Sequence, residues 1–294
     1  VFSNWPVAHV SLYSMESALA SFLASPDEPL DMAADYLTWR PGLPTGANAL
    51  NSVVAGHAYL LYATQACTRV LTGRPAVPRL EWVAGALGTN AYNLMGFCHS
   101  PTSKFGAFLS GAGFDPAKLL VYRVGGTNPA SPSFYTLGGF SGSVATTPME
   151  PGKAYFIACN KRSSFSGPVR VFPAGTDGIR FAADGSREFL RLVNEHGAPL
   201  TVSLAVSNSA AAPDGELPVR PAVLYFDYLQ GWIALTSGVQ KTLQAGEEWT
   251  LPLAVDRTGM AADRTYGGLL ICADSAGGRV EIPLAAEYGA PSAT

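Results

Sequence analysis

The sequence predicts an all-β chain: tandem duplicated antiparallel β-sandwich or barrel-like modules, each with one short helix, followed by an immunoglobulin-like β-sandwich. Three observations carry this reading. Short apolar runs rich in Tyr, Val, Ile and Leu recur between clusters of Gly, Pro, Asn and Ser, the pattern of strands in sandwiches and barrels. Blocks from residues 1–78 return in the same order within residues 79–175. From residue 176 onward, strand candidates follow one another, several with clean two-residue alternation.

In the first unit, residues 15–23 place Met15, Leu19, Phe22 and Leu23 on one face at helical spacing, and Ala58-Tyr59-Leu60-Leu61-Tyr62 reads as a strand. In the second, residues 102–110 repeat the helix with Phe105, Phe108 and Leu109, and the Ser/Thr residues ahead of it suit an N-cap. Leu119-Leu120-Val121-Tyr122 and Ala154-Tyr155-Phe156-Ile157 read as its strands. The repeat aligns Ser17 with Ser103, Gly56-His57-Ala58-Tyr59 with Gly152-Lys153-Ala154-Tyr155, and Gly73 with Gly167. A repeat of about 90 residues is a duplicated domain, since solenoid units are shorter. The glycine of G-x-A-Y accommodates a tight turn into the strand, often at positive φ. Tyr59 and Tyr155 are expected to be core anchors whose hydroxyls reach a loop backbone.

The third unit, residues 176–294, offers strand candidates at 178–181, 188–194, 200–206, 248–255, 268–272 and 278–284, with none assigned in 207–247. Leu200, Val202, Leu204 and Val206 share one face, and Trp249, Leu251, Leu253 and Val255 share another. Residues 285–294 are read as the end of the last strand and a short tail. The immunoglobulin type follows from the strand pattern; the Cys…Trp…Cys signature of antibody domains is missing.

Composition narrows function. Of 294 residues 48% are hydrophobic, enough for a packed core, and only 14% are charged, against the usual quarter. A net charge of −3 excludes the basic footprint of a nucleic-acid binder. No apolar run reaches the length of a membrane-spanning helix, and the start at Val1 predicts a mature or excised, soluble fragment whose targeting signal has been removed.

The search for chemistry assigns no catalytic, cofactor or metal residue. Cys67, Cys98, Cys159 and Cys272 form no C-x-x-C pair, so a structural zinc site is not expected. Free buried thiols are the simpler reading, with a disulfide left open. His9, His57, His99 and His196 form no H-E-x-x-H. Cys98-His99 is suggestive, but adjacent residues on an extended strand point to opposite faces. Gly139-Phe140-Ser141-Gly142-Ser143 misses the nucleophile-elbow spacing by one place and is read as a flexible loop. Carboxylates at Asp27-Glu28, Asp214/Glu216 and Glu247-Glu248 fall in predicted turns.

Binding offers more. Tyr225-Phe226-Asp227-Tyr228-Leu229-Gln230-Gly231-Trp232 gathers four aromatics, and Tyr225, Tyr228 and Trp232 are the candidate ligand or partner contacts. Such rings stack on sugar faces; the competing reading, core filling in the third unit, is favoured. Only five lysines occur in the chain, so few edge strands carry the charge that discourages pairing.

Asn93-Leu94-Met95-Gly96-Phe97, Pro151-Gly152-Lys153-Ala154-Tyr155-Phe156 and Ser166-Gly167-Pro168-Val169 resemble a recurrent "NL-x-G-F … PGKAYW … GP-V" module of large secreted bacterial surface proteins. Phe156 stands where that module has Trp. Leu243-Gln244-Ala245-Gly246-Glu247-Glu248-Trp249 and Val255-Asp256-Arg257 resemble an immunoglobulin-like module of the same proteins. The resemblance implies a secreted or cell-surface, non-enzymatic setting and supplies no ligand or catalytic residue. The expectation is therefore a non-catalytic extracellular structural module of a bacterial surface protein or fibre, with self-assembly through β-strand contacts as one route. Carbohydrate binding or adhesion is the alternative. The partners expected are other copies, neighbouring domains of a larger surface protein, or glycans.

Overall fold

The computed structural model describes residues 6–13, 36–44, 46–50, 58–66, 68, 75–84, 91–114, 119–125, 133–139, 143–175, 178–183, 185, 187–208, 217–218, 223–236, 238–258, 260 and 264–288. The helix expected at 15–23 lies outside them, as do His57, Cys67, Ser141 and the acidic positions 27, 28, 214 and 216.

Strands β1 (Val7–Tyr13), β2 (Tyr36–Trp39) and β3 (Tyr59–Ala63) form an antiparallel sheet in the order β2-β1-β3. Next come β4 (Ala91–Gly96), β5 (Leu120–Gly125), β6 (Ser133–Gly139) and β7 (Ala154–Cys159), ordered β4-β7-β5-β6. In both units the opening strand pairs antiparallel with the G-x-A-Y strand. Leu12 lies opposite Tyr59, and Met95 opposite Tyr155. The units differ in where the remaining strands attach: β2 flanks β1, whereas β5 flanks β7.

Tyr155 is buried and its hydroxyl accepts the Glu150 N–H at 2.9 Å, while Phe105 meets its ring edge-on at 4.8 Å. Gly152 enters the preceding turn at φ +72°. The helix Phe105–Leu109 and the 3-10 turn Ser110–Ala112 bury Phe105, Phe108 and Leu109 in one core with Met95, Val121 and Ile157. The expected Ser/Thr cap is not used. Lys104 is the N-cap and no side chain caps the helix; the Phe105 N–H donates instead to Thr147 O. Gly139 ends a strand and a single helical turn, Ser143–Thr146, follows, so the stretch read as a flexible loop is ordered on both sides of residues 140–142.

The rest is a sandwich of two sheets whose pairings are antiparallel apart from the short strands 179–181 and 217–218, which pair in parallel. One sheet has β14 (Gly231–Ala234), β13 (Val223–Asp227), β16 (Glu248–Val255), β10 (Arg187–Asn194) and β8 (Val169–Pro173), in that order. The other runs β15 (Val239–Leu243), β11 (Leu200–Asn208), β17 (Arg264–Asp274), β18 (Arg279–Tyr288) and β9 (Ile179–Phe181), with β12 (Leu217–Pro218) paired to β17. Leu200, Val202 and Leu204 face Leu190, Leu192, Leu251 and Leu253 across one core. β8 falls within 79–175, yet it pairs with β10, opposing Leu192 with Val171, and belongs to the sandwich. The described residues of 207–247 include four strands that alternation did not mark, β12 to β15.

Sandwich and middle unit touch closely. Gly277 O accepts from Ser100 N at 2.8 Å and from Ser103 Oγ, and Arg279 N donates to Cys98 O at 3.2 Å. Gly111 packs so tightly that an added Cβ would sit 1.9 Å from Glu195 O.

Candidate functional site

The outer face of the five-stranded sheet carries the most unusual surface. Along β10, Leu190, Leu192 and Asn194 turn inward, which sends Arg187, Phe189 and Arg191 outward. Register extends this outward row. Phe189 lies opposite Pro252, Arg191 opposite Phe172, Leu224 opposite Ala254, and Phe226 opposite Trp232. Solvent-facing positions on an antiparallel sheet are ordinarily polar; here Trp232, Phe226, Phe189 and Phe172 cross it from edge to edge, and Phe189 is 56% exposed.

Arginines lie on the rings at both margins. The Arg191 guanidinium sits 4.0 Å from the Phe172 ring centroid and 3.1 Å from Glu248 Oε2, and that of Arg187 sits 5.3 Å from the Trp232 ring. Exposed cation–π contacts contribute about 0.5–1 kcal/mol each, enough to hold both partners on the face.

The β13–β14 hairpin supplies one end of this surface. Asp227 Oδ1 accepts the N–H groups of Leu229 at 2.8 Å and Gln230 at 3.0 Å, and Gly231 closes the loop at φ +81°. Three residues, 228–230, join the strands, and the left-handed glycine that follows them lets the chain enter β14 without strain. The loop drives Tyr228 and Leu229 into solvent at 86% and 96% exposure.

The structure divides the three sequence candidates. Tyr225 opposes Ile233 and packs on the sandwich core. Trp232 and Tyr228 both meet Phe226, at 5.3 and 5.5 Å, with ring planes inclined at 65° and 85°. These rings form no flat platform, and Asp227 is engaged by its own turn. Sequence reasoning missed Phe189, Phe172, Arg187 and Arg191. The available signal was Phe189 falling out of phase with Leu190 and Leu192.

Elsewhere the candidates separate. Cys98 is exposed as a residue, yet shielding of its sulfur and then the charge of Glu281 hold its thiol above the ordinary range. His99 Nδ1 lies 2.7 Å from Ser100 O. Burial raises the Cys159 thiol to about 11 and the Cys272 thiol to about 12; with Cys98, both are free thiols. Glu247 anchors a turn, accepting Gln244 N at 2.8 Å and pairing with Lys241 at 2.9 Å. Among the described residues no three His, Cys, Asp or Glu groups converge on a metal position.

A cavity of about 380 Å³ lies where the two units meet, lined by Gly111, Phe165, Arg170, Asn194, Glu195 and His196. Arg170 and Glu195 pair across it at 2.8 Å, while Arg170 Nε and Glu195 Oε2 are buried without a partner among the described residues. Burial raises the Glu195 carboxyl, opposed by Arg170.

No family model and no curated protein matches the chain. Among solved structures, PapD-like domain 7 of human CEP192 matches at 11% identity and TM-score 0.30, over 42% of this chain and 87% of that one. The Pseudomonas aeruginosa CupB2 chaperone matches at 15% and 0.29, over 42% of this chain and 57% of its own. The periplasmic chaperone SfaE matches at 12% and 0.30, over 42% of this chain and 59% of its own. The chain therefore spans less than two thirds of either chaperone. The sandwich assignment rests on the strand order and register above. No helix of the described residues is long and apolar enough to cross a membrane.

Proposed function

We propose that this chain is a non-catalytic structural module of a secreted or cell-surface protein that works through protein contact, with the outer face of the five-stranded sheet as its contact surface. The supporting observation is the band Trp232–Phe226–Phe189–Phe172 with arginines stacked on its ends. Aromatic residues and arginine are enriched at protein interfaces and lysine is depleted. The ring geometry disfavours sugar stacking, because Arg187 already covers Trp232 and Phe226 meets its neighbours edge-on.

The test uses Phe189→Asp, at the middle of the face with its side chain outside the core. In the native host, wild-type protein labels with a membrane-impermeant reagent on intact cells and fractionates in a high-mass assembly. The variant keeps its melting temperature and enters that assembly about 30-fold less, as loss of an interface hot spot implies. An unchanged assembled fraction refutes the reading. Selective binding to a glycan array, lost on Trp232→Ala, replaces it with the carbohydrate-binding one.

A further inference from the structure

We propose that the free edge of β14 pairs antiparallel with β14 of a second copy, in a two-fold register centred on Ile233. This rests on the reading of the chain as a contact-making module and names one partner, the chain itself. Sheet edges invite pairing unless charge, proline or brevity blunts them. Of the four strands that end the two sheet paths among the described residues, β8 carries Arg170 and Pro173, β15 carries Lys241, and β9 has three residues with Arg180 at its centre; β12, off these paths, has two residues and Pro218. The fourth, Gly231-Trp232-Ile233-Ala234, has neither charge nor proline. Tyr228 and Leu229 project from the tip beside it.

Hydrogen bonding fixes which groups the edge offers. Leu235 N donates to Val223 O at 2.7 Å, so these two form a hydrogen-bonded pair of the β13–β14 ladder. The register continues Ala234–Leu224, Ile233–Tyr225, Trp232–Phe226 and Gly231–Asp227. Bonded and non-bonded pairs alternate along an antiparallel ladder. Leu235, Ile233 and Gly231 therefore direct their N–H and C=O groups at β13, and Trp232 and Ala234 direct theirs away from the sheet. β14 has no other neighbour among the described strands.

A second copy related by a two-fold axis at Ile233 sets Trp232 opposite Ala234 and Ala234 opposite Trp232. Each couple exchanges two hydrogen bonds, four in all, so every outward group on the edge is matched. Large then faces small, and no charge opposes its own image. A two-residue shift to either side sets Trp232 against Trp232 or Ala234 against Ala234 and leaves edge groups unmatched; a one-residue shift turns the apolar row to the wrong face.

The experiment is sedimentation velocity of the full chain across a concentration series, with amide exchange followed at both ends of it. Wild type dimerises reversibly, and the Trp232 and Ala234 amides slow in the dimer while Ile233, already bonded to Tyr225, does not change. Ala234→Pro removes an N–H that serves no bond within the sheet and weakens the dimer about tenfold or more. Ala234→Lys, at an exposed position, does the same should the proline variant fold poorly. A chain that stays monomeric throughout, or a dimer indifferent to both variants, overturns the proposal. Phe189→Asp lies on β10, three strands away, and leaves the edge intact. Assembly lost with Phe189→Asp in a monomeric chain refutes edge pairing and keeps the face; dimerisation lost with Ala234→Pro while Phe189→Asp assembles normally does the reverse.

Discussion

Gly111→Ala is expected to destabilise the chain, against the intrinsic preference of the substitution. Alanine in place of glycine, where the backbone conformation allows it, stabilises by about 0.4–1 kcal/mol through the unfolded state. Gly111 lies in the 3-10 turn Ser110–Ala112 and is not among the glycines at positive φ. An added Cβ there would meet Glu195 O at 1.9 Å, Glu195 C at 2.6 Å and His196 Cα at 2.8 Å. All three are backbone atoms, so no rotamer relieves the clash. Ordinary contact begins at 3.4 Å, so the helix must retreat about 1.5 Å or the loop after β10 must yield. Overpacking of this kind costs about 1–3 kcal/mol. That retreat also strains the Gly277 O contacts with Ser100 and Ser103. A net loss of about 2 kcal/mol follows, roughly a 30-fold shift away from the docked state. Urea unfolding reads the loss, and amide exchange localises it to peptides 98–112, 194–198 and 275–279. Gly96→Ala, with nothing within 4 Å of its Cβ position, is the control and stays near wild type. Equal or greater stability of Gly111→Ala, with exchange unchanged at those peptides, refutes the docking argument.

Three other outcomes follow from buried polar groups. Asn194 is buried, its Nδ2 is 3.0 Å from each of the Ala198, Leu243 and Gln244 carbonyls, and its Oδ1 accepts His196 N at 2.8 Å; Asn194→Ala lowers stability by about 3 kcal/mol in chemical denaturation, because backbone partners are left unsatisfied. The Asp274 carboxyl is raised by burial, against the N–H groups of Gly278 and Ala276 that hydrogen-bond it. A raised native value means the folded state holds the proton more tightly, so the stability it brings is present below the unfolded carboxyl pKa and is lost as pH rises through the native one. Melting temperatures at mildly acidic and neutral pH therefore differ less in Asp274→Asn than in wild type, and superimposable profiles contradict this. Under native conditions at pH 8, mass-resolved alkylation modifies Cys159 and Cys272 only on the timescale of unfolding, since burial holds their thiols at about 11 and 12.

Strands were legible where apolar and polar residues alternate over a long run. Residues 200–206 and 248–255 alternate in sequence, and Leu200, Val202, Leu204, Leu251 and Leu253 are buried as that alternation implies. The hairpin at 223–234 was hidden by the property that makes it interesting. Tyr225 faces the core and Phe226 faces solvent, so consecutive aromatics erase the two-residue period. β8 shows Val169 and Val171 inward, but which sheet owns a strand is decided by its pairing with β10, a non-local contact that periodicity does not encode. The missing N-cap has a similar origin: Ser103, placed to cap the helix, donates to Gly277 O in the sandwich. Tyr155 was readable because a glycine turn and the hydroxyl contact to Glu150 N, five residues away, are local features, although its strand is buried on both faces.

The scarcity of charge, which in the sequence already pointed to unprotected edge strands, acquires a spatial sense. Arg170, Lys241 and Arg180 stand on three sandwich edges, and Arg187 and Arg191 stand on the rings of the outer face. Edge pairing acts in the plane of the sheet, and face contact acts along its normal. One copy can therefore make both at once. Joining two β14 edges sets two outer faces side by side, with Trp232 and Phe226 of each copy at the seam. A partner with two matching sites then gains from the second contact as an intramolecular event, which multiplies binding without any new interaction. Under this geometry Ala234→Pro, which removes no aromatic ring or arginine of the face, weakens association with a bivalent surface more than with a monovalent one. A face that bound equally well in monomer and dimer would show the two contacts to be independent.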